Sequence, residues 1–140
     1  MEKYIFKQIY DTLKVDATLL ALMGSDAPDN IRRFSSLKKY NFDKYLLFGR
    51  IAFRDGGLDL DSHKVQVGEL QIQVLDRTND INIMDVKDRV ETLLNSKVLI
   101  ESGEIILNIE YANSGPIAFD NEIGYYIGAL YFNIIVKDIN

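Results

Sequence analysis

Val65-Gln66-Val67-Gly68-Glu69-Leu70-Gln71-Ile72-Gln73-Val74-Leu75-Asp76 alternates with a period of two. Leu70, Ile72 and Val74 fall on one side of an extended chain, and Glu69, Gln71 and Gln73 on the other. One apolar and one polar face mark a strand buried on one side, the habit of antiparallel sheets.

Outward toward the N-terminus, residues 55–64 read Asp-Gly-Gly-Leu-Asp-Leu-Asp-Ser-His-Lys, a glycine and aspartate loop. Residues 45–54 read as a strand with Tyr45, Leu47, Ile51 and Phe53 on one face and Leu46, Phe48, Arg50, Ala52 and Arg54 on the other. Residues 25–44 carry Pro28, several Asp, Asn and Ser, and a basic cluster, and read as a long irregular connection. Before it, Ile5, Phe6, Ile9, Tyr10 and Leu13 recur at three and four and predict a helix over 2–14. Asp16 caps a short second helix carrying Leu19, Leu20, Leu22 and Met23, which Gly24 stops.

Toward the C-terminus, Thr78-Asn79-Asp80 forms a turn that opens a helix over 82–95. Its stripe is Ile83, Val86, Val90, Leu93 and Leu94, and its wet side Asp85, Lys87, Asp88 and Glu91. After a turn at Ser102-Gly103, residues 104–112 alternate as a strand with Ile105, Leu107, Ile109 and Tyr111 on one face. Asn113-Ser114-Gly115-Pro116 breaks that ladder, and residues 123–137 form a long apolar strand. The expected fold is α+β: one domain over 1–140, a mostly antiparallel sheet with two main helices on one face.

Composition narrows the function. The 140 residues carry 16 Lys+Arg against 21 Asp+Glu, a net charge of −5, which disfavours nucleic acid as main ligand. The absence of cysteine removes thiolate chemistry, and one histidine, His63, argues against multi-histidine metal sites and, less strongly, against a histidine-based triad. No apolar run approaches the ~18 residues of a membrane helix, so no membrane partner is expected. Within 32–50, Arg32, Arg33, Lys38, Lys39, Lys44 and Arg50 stand against Asp43 alone. One basic segment on an acidic body is either a docking surface for an acidic neighbour, a second copy included, or a solvated loop whose charges do nothing specific.

Catalytic motifs are missing. Neither phosphate-binding glycine pattern occurs, and Gly56-Gly57 lacks a following helix. Asp55, Asp59 and Asp61 could gather a hard cation, but their spacing is not that of a calcium loop, and aspartate and glycine are ordinary hairpin material. Glu69-Leu70-Gln71 lacks the lysine of a metal-dependent nuclease strand, and His63 has no evident partner acid. No catalytic residue, metal or cofactor is therefore expected. The loop residues Asp55, Gly56, Gly57, Asp59 and Asp61 are expected to form a mobile tip ordered by a partner. The remaining signal is surplus apolar surface: both faces of 123–137 are apolar, so either this is a central strand covered on both sides or a neighbouring subunit covers one face, which makes Tyr125, Ile127 and Tyr131 candidates for a subunit interface.

The chain resembles the tail completion, or tail terminator, proteins of long-tailed bacteriophages. The resemblance rests on Ile9-Tyr10-Asp11-Thr12-Leu13, on Asp16-Ala17-Thr18-Leu19-Leu20-Ala21-Leu22-Met23-Gly24, and on the strand Leu70-Gln71-Ile72-Gln73-Val74-Leu75-Asp76. A helix ending Val90-Glu91-Thr92-Leu93-Leu94 and the closing strand Tyr125 to Lys137 complete it, with Lys38 to Tyr45 as the tyrosine-containing segment, here without proline. It implies a non-enzymatic structural protein of the virion tail, assembled in the host cytoplasm. Six copies would form a ring that caps the tail tube, stops its polymerisation and joins it to the head connector. Its partners would be itself, the tube protein and the connector protein, with DNA only passing through the channel. The alternatives are another phage neck or connector component, a small carboxylate-dependent enzyme and a small-molecule binding module.

Overall fold

The alternating stretch becomes β4 (Lys64–Asp76) in the computed structural model, which describes residues 2–34, 39–49, 51–102 and 105–138. Leu70, Ile72 and Val74 are buried, Gln71 and Gln73 half-buried and Glu69 exposed. β4 runs antiparallel to β8 (Tyr125–Asp138), from Lys64 opposite Asp138 to Asp76 opposite Tyr126. Beyond β8 lie β6 (Ile105–Ser114) and then β5 (Lys97–Ser102), both antiparallel to their neighbours. On its other side β4 pairs antiparallel with β2 (Lys44–Phe48), which β1 (Ile31–Arg33) flanks in parallel. The order is β1-β2-β4-β8-β6-β5, with β3 (Ala52–Leu58) added beside β4 and β7 (Ala118–Asp120) beside β8.

Three helices cover one face: α1 (Glu2–Lys14), α2 (Ala17–Met23) and α3 (Asp80–Leu94). Ile5, Ile9 and Leu13 of α1, Leu19 and Met23 of α2, and Ile83, Val86, Val90 and Leu94 of α3 join the sheet in one core. Their partners there include Leu46, Leu70, Ile72, Leu107, Phe132 and Ile134. The α+β, mostly antiparallel expectation holds, and so does the cap: the Asp16 carboxylate accepts from Leu19 N at 2.9 Å. Helix α3 starts two residues earlier than expected. The Asn79 side chain accepts from Ile81 N and Asn82 N and so takes the cap position.

Four local readings need correction. The expected strand 45–54 is two strands. Phe48 opposes Ile72 and Ala52 opposes Glu69, so four steps on one chain match three on the other. This one-residue excess, a bulge, inverts side-chain parity. Ile51 therefore enters the helix-side core with Leu46 and Phe48, not the opposite face with Tyr45 and Leu47. Gly68 makes room for this: a Cβ there would lie 2.7 Å from Ile51 and 2.9 Å from Phe53. Second, the 25–44 connection contains β1. Third, β5 and β7 form in stretches to which the sequence reading gave no element, and β6 runs on to Ser114.

Fourth, Lys87 is not on the wet side of its helix. It is buried, its stem lies over Gly128, and its Nζ donates to Gly115 O at 2.9 Å. Burial pushes the amine below the usual lysine value.

Candidate functional site

The residues expected at a subunit interface lie on the sheet face turned away from the helices. Tyr125 is fully buried there by the chain itself, which corrects its place in that interface. It packs with Tyr45, Leu47 and Leu75, and residues 40–42 lie over the group. Its hydroxyl donates to Phe42 O. The Tyr40 ring is 5.4 Å from the Tyr125 ring, and the Arg77 guanidinium sits 4.9 Å above it. Arg77 also donates to Tyr40 O at 2.9 Å, while the Tyr45 hydroxyl accepts from Asn41 N at 2.7 Å. These bonds anchor the covering segment. Burial raises the Tyr125 phenol above its ordinary pKa.

Ile127 and Tyr131 lie further along the same face, each half-buried. Polar residues interrupt the apolar row. Gln71 opposes Tyr131 and donates to its hydroxyl at 3.4 Å, and Asn133 stands between Glu69 and Glu110. The uncovered apolar surface is thus smaller than the strand's sequence implies.

The basic segment divides. Arg32 and Arg33 are exposed on β1, Lys39 is exposed where the covering segment begins, and Lys38 lies outside the described residues. The arginines border a groove of about 680 Å³ between α1 and β1. Phe6, Tyr10 and Phe48 contribute apolar surface to it, and Lys3 and Lys7 of α1 join its rim. The Arg33 guanidinium lies 4.3 Å from the centre of the Phe6 ring. Lys7 bonds Asp11 at 2.7 Å, and Asp29 adds one acid to the lining. Arg32 and Arg33 thus lie beside two lysines, Lys3 and Lys7, that the sequence did not link to them.

The 55–64 loop is shorter than expected. Asp55, Gly56 and Gly57 lie in β3, with the Asp55 carboxylate accepting from Gly57 N at 2.8 Å and Gly57 at φ +83°. The true tip spans 59–63. There one Asp59 oxygen accepts from Asp61 N and His63 N, each at 2.9 Å. The other lies 3.1 Å from His63 Nδ1 and 3.5 Å from Lys137 Nζ. The His63 amide bond and its companions hold Asp59 below the usual carboxylate range. His63 therefore has a partner acid after all. Ligand atoms of Asp59, Asp61 and His63 come within 4.8 Å of one another, a different trio from the three aspartates of the sequence reading. Asp59 is already engaged by two amides and an ammonium, which compete with a cation. Two leucines escape the sequence reading: Leu58 is 65% exposed and Leu60 fully so, at 106%.

No family model matches the sequence, and no curated protein matches it. Solved structures do match by fold. One is a chain described as "Virion of native gene transfer agent (GTA) particle", superposing with a TM-score of 0.73 at 17% identity over 92% of this chain and 91% of that one. The architecture of β1 to β8 and three helices is thus similar, over nearly its whole length, to that of a chain in a virion.

Proposed function

We propose that this chain is a non-enzymatic structural component of a virion tail. In this reading it is a terminator that closes a finished tube and joins it to the head connector. The carrying observation is the whole-chain fold likeness to a chain of a virion. Segregated charge supports it: cations gather at the α1–β1 groove, while carboxylates dominate elsewhere. So does the chemistry of the concavities. The α1–β1 groove is rimmed by cations, and its lining has one acid, Asp29, not the paired carboxylates that acid–base work requires. Ile127 and Tyr131 on the uncovered sheet face lie at the contact between copies. The copies form a closed ring, six by resemblance, in the assembled tail and before that in the host cytoplasm. DNA passes through the ring without being gripped, because an acidic body does not hold phosphates.

The test is mass in solution followed by tube capping. Sedimentation should show a closed multimer, and electron microscopy a ring. Added to polymerising tube protein, the ring should stop elongation at one end. A protein that stays monomeric at every concentration overturns the proposal. A ring that binds the connector but leaves tube growth unchanged makes it a neck component instead.

A further inference from the structure

We propose that the tip of the β3–β4 hairpin docks into the α1–β1 groove of a second copy of this chain, joining copies head to tail. This deepens the ring reading and rests on it.

The two surfaces complement each other in shape and charge. The tip presents Leu58 and Leu60 to solvent, flanked by Asp55, Asp59 and Asp61. A leucine exposed at 106% makes no use of its apolar surface within its own chain. The groove offers the converse: the half-buried Tyr10 and the edges of the buried Phe6 and Phe48, under the cations Lys3, Lys7 and Arg32. Its volume, about 680 Å³, accommodates several side chains. Apolar knob and acidic flank on one side thus meet apolar floor and basic rim on the other.

A copy's own tip does not serve its own groove. Arg33, at the groove, is level with Phe48, and Phe48 pairs with Ile72. Lys64, where the tip begins, lies eight residues further along β4. At about 3.3 Å per residue that is roughly 26 Å. The tip, held beside the end of β8 by Asp59 and Lys137, is therefore remote from its own groove, and the partner is another molecule. Since the surfaces differ, the contact is heterologous. Such contacts close into rings where the rotation allows, and otherwise grow as filaments.

The absence of cysteine makes the test direct. Ser62→Cys marks the tip and keeps its leucines and acids, and Lys7→Cys marks the groove and keeps Lys3 and Arg32. Mixed and mildly oxidised, the two single-cysteine proteins should give disulfide dimers in clear excess over either alone. A chain carrying both cysteines should give a covalent ladder ending at the ring size. A ladder without an end keeps the docking and overturns the closed ring. A closed multimer by mass with no tip-to-groove disulfide keeps the ring and overturns the docking, leaving the groove to another virion protein. A monomer with no disulfide overturns both.

Leu60→Asp and Arg32→Glu, both on exposed side chains, give a second arm. Each alone should weaken self-association about tenfold or more, or about 1.4 kcal/mol. Mixed together they should form one-to-one dimers, because each retains the surface the other lacks. If the mixture associates no better than the separate variants, the docking is overturned.

Discussion

Arg89 of α3 holds Asp16 with two bonds, Nε to one carboxylate oxygen at 2.8 Å and a terminal nitrogen to the other at 2.6 Å. The same carboxylate caps α2 by accepting from Leu19 N. One side chain thus fixes where the second helix starts and ties it to the third.

Asp16→Ala should therefore cost about 2 kcal/mol, combining a lost cap with a stranded guanidinium. Chemical denaturation at pH 7 checks this. The Arg89 bonds, followed by the Leu19 amide, hold the Asp16 pKa below its ordinary value. Its contribution is fully present above the unfolded value, about pH 4, and is lost as pH falls through the folded value. Asp16→Asn should flatten that part of the acid stability profile.

Lys87 gives the opposite sign. Burial lowers its pKa, so between the folded value and the ordinary 10.5 the unfolded chain binds the extra proton. Stability should then rise with pH through that window. Lys87→Met keeps the stem, removes the buried charge and loses one bond to Gly115 O. Its stability at pH 7 should fall within about 1 kcal/mol of the parent, and thermal melts from pH 8 to 10.5 should lose the rise.

At Gly128 the helix layer approaches the sheet closely. A Cβ there would stand 2.6 Å from Ile83 and 3.1 Å from Lys87. Gly128→Ala should cost about 1–3 kcal/mol by overpacking, measured by denaturant midpoint. Ile83→Val in the same chain should recover part of that loss.

The two tyrosines of β8 should separate cleanly. Tyr125→Asp places a charge where the ring is fully buried and should unfold the protein, read by loss of its circular dichroism spectrum. Tyr131→Asp, on the half-exposed part of the face, should keep that spectrum and shift sedimentation toward smaller species. Unfolding of Tyr131→Asp would assign this face to the core instead.

The helices were legible because their signals are local. Apolar spacing marks α1, and Asp16 with Gly24 brackets α2. The alternation of Leu70, Ile72 and Val74 likewise states which face is buried. What escaped depends on contacts between distant segments. The extra residue between the Phe48 and Ala52 pairings leaves no mark in a stretch that reads as continuous alternation, and its enabling residue, Gly68, lies on another strand. Lys87 reads as solvated on a helical wheel, since Gly128 supplies its space 41 positions away. The groove escaped for the same reason: Lys3 and Lys7 carry no periodic signal tying them to Arg32. Tyr125 was legible as apolar but not as occupied, because its cover comes from residues 40–42.

The bulge between β2 and β3 also makes the hairpin a gauge. Past that extra residue, β3 and β4 pair as a ribbon from Ala52 opposite Glu69 to Asp55 opposite Gln66. Adding two residues to each strand there lengthens the ribbon by about 6.6 Å and leaves every side chain on its own face. Adding one to each exchanges the faces from that point outward. The reach of the tip thus changes in two-residue steps that also move β4 along β8, and any surface it meets must lie at one of those discrete distances.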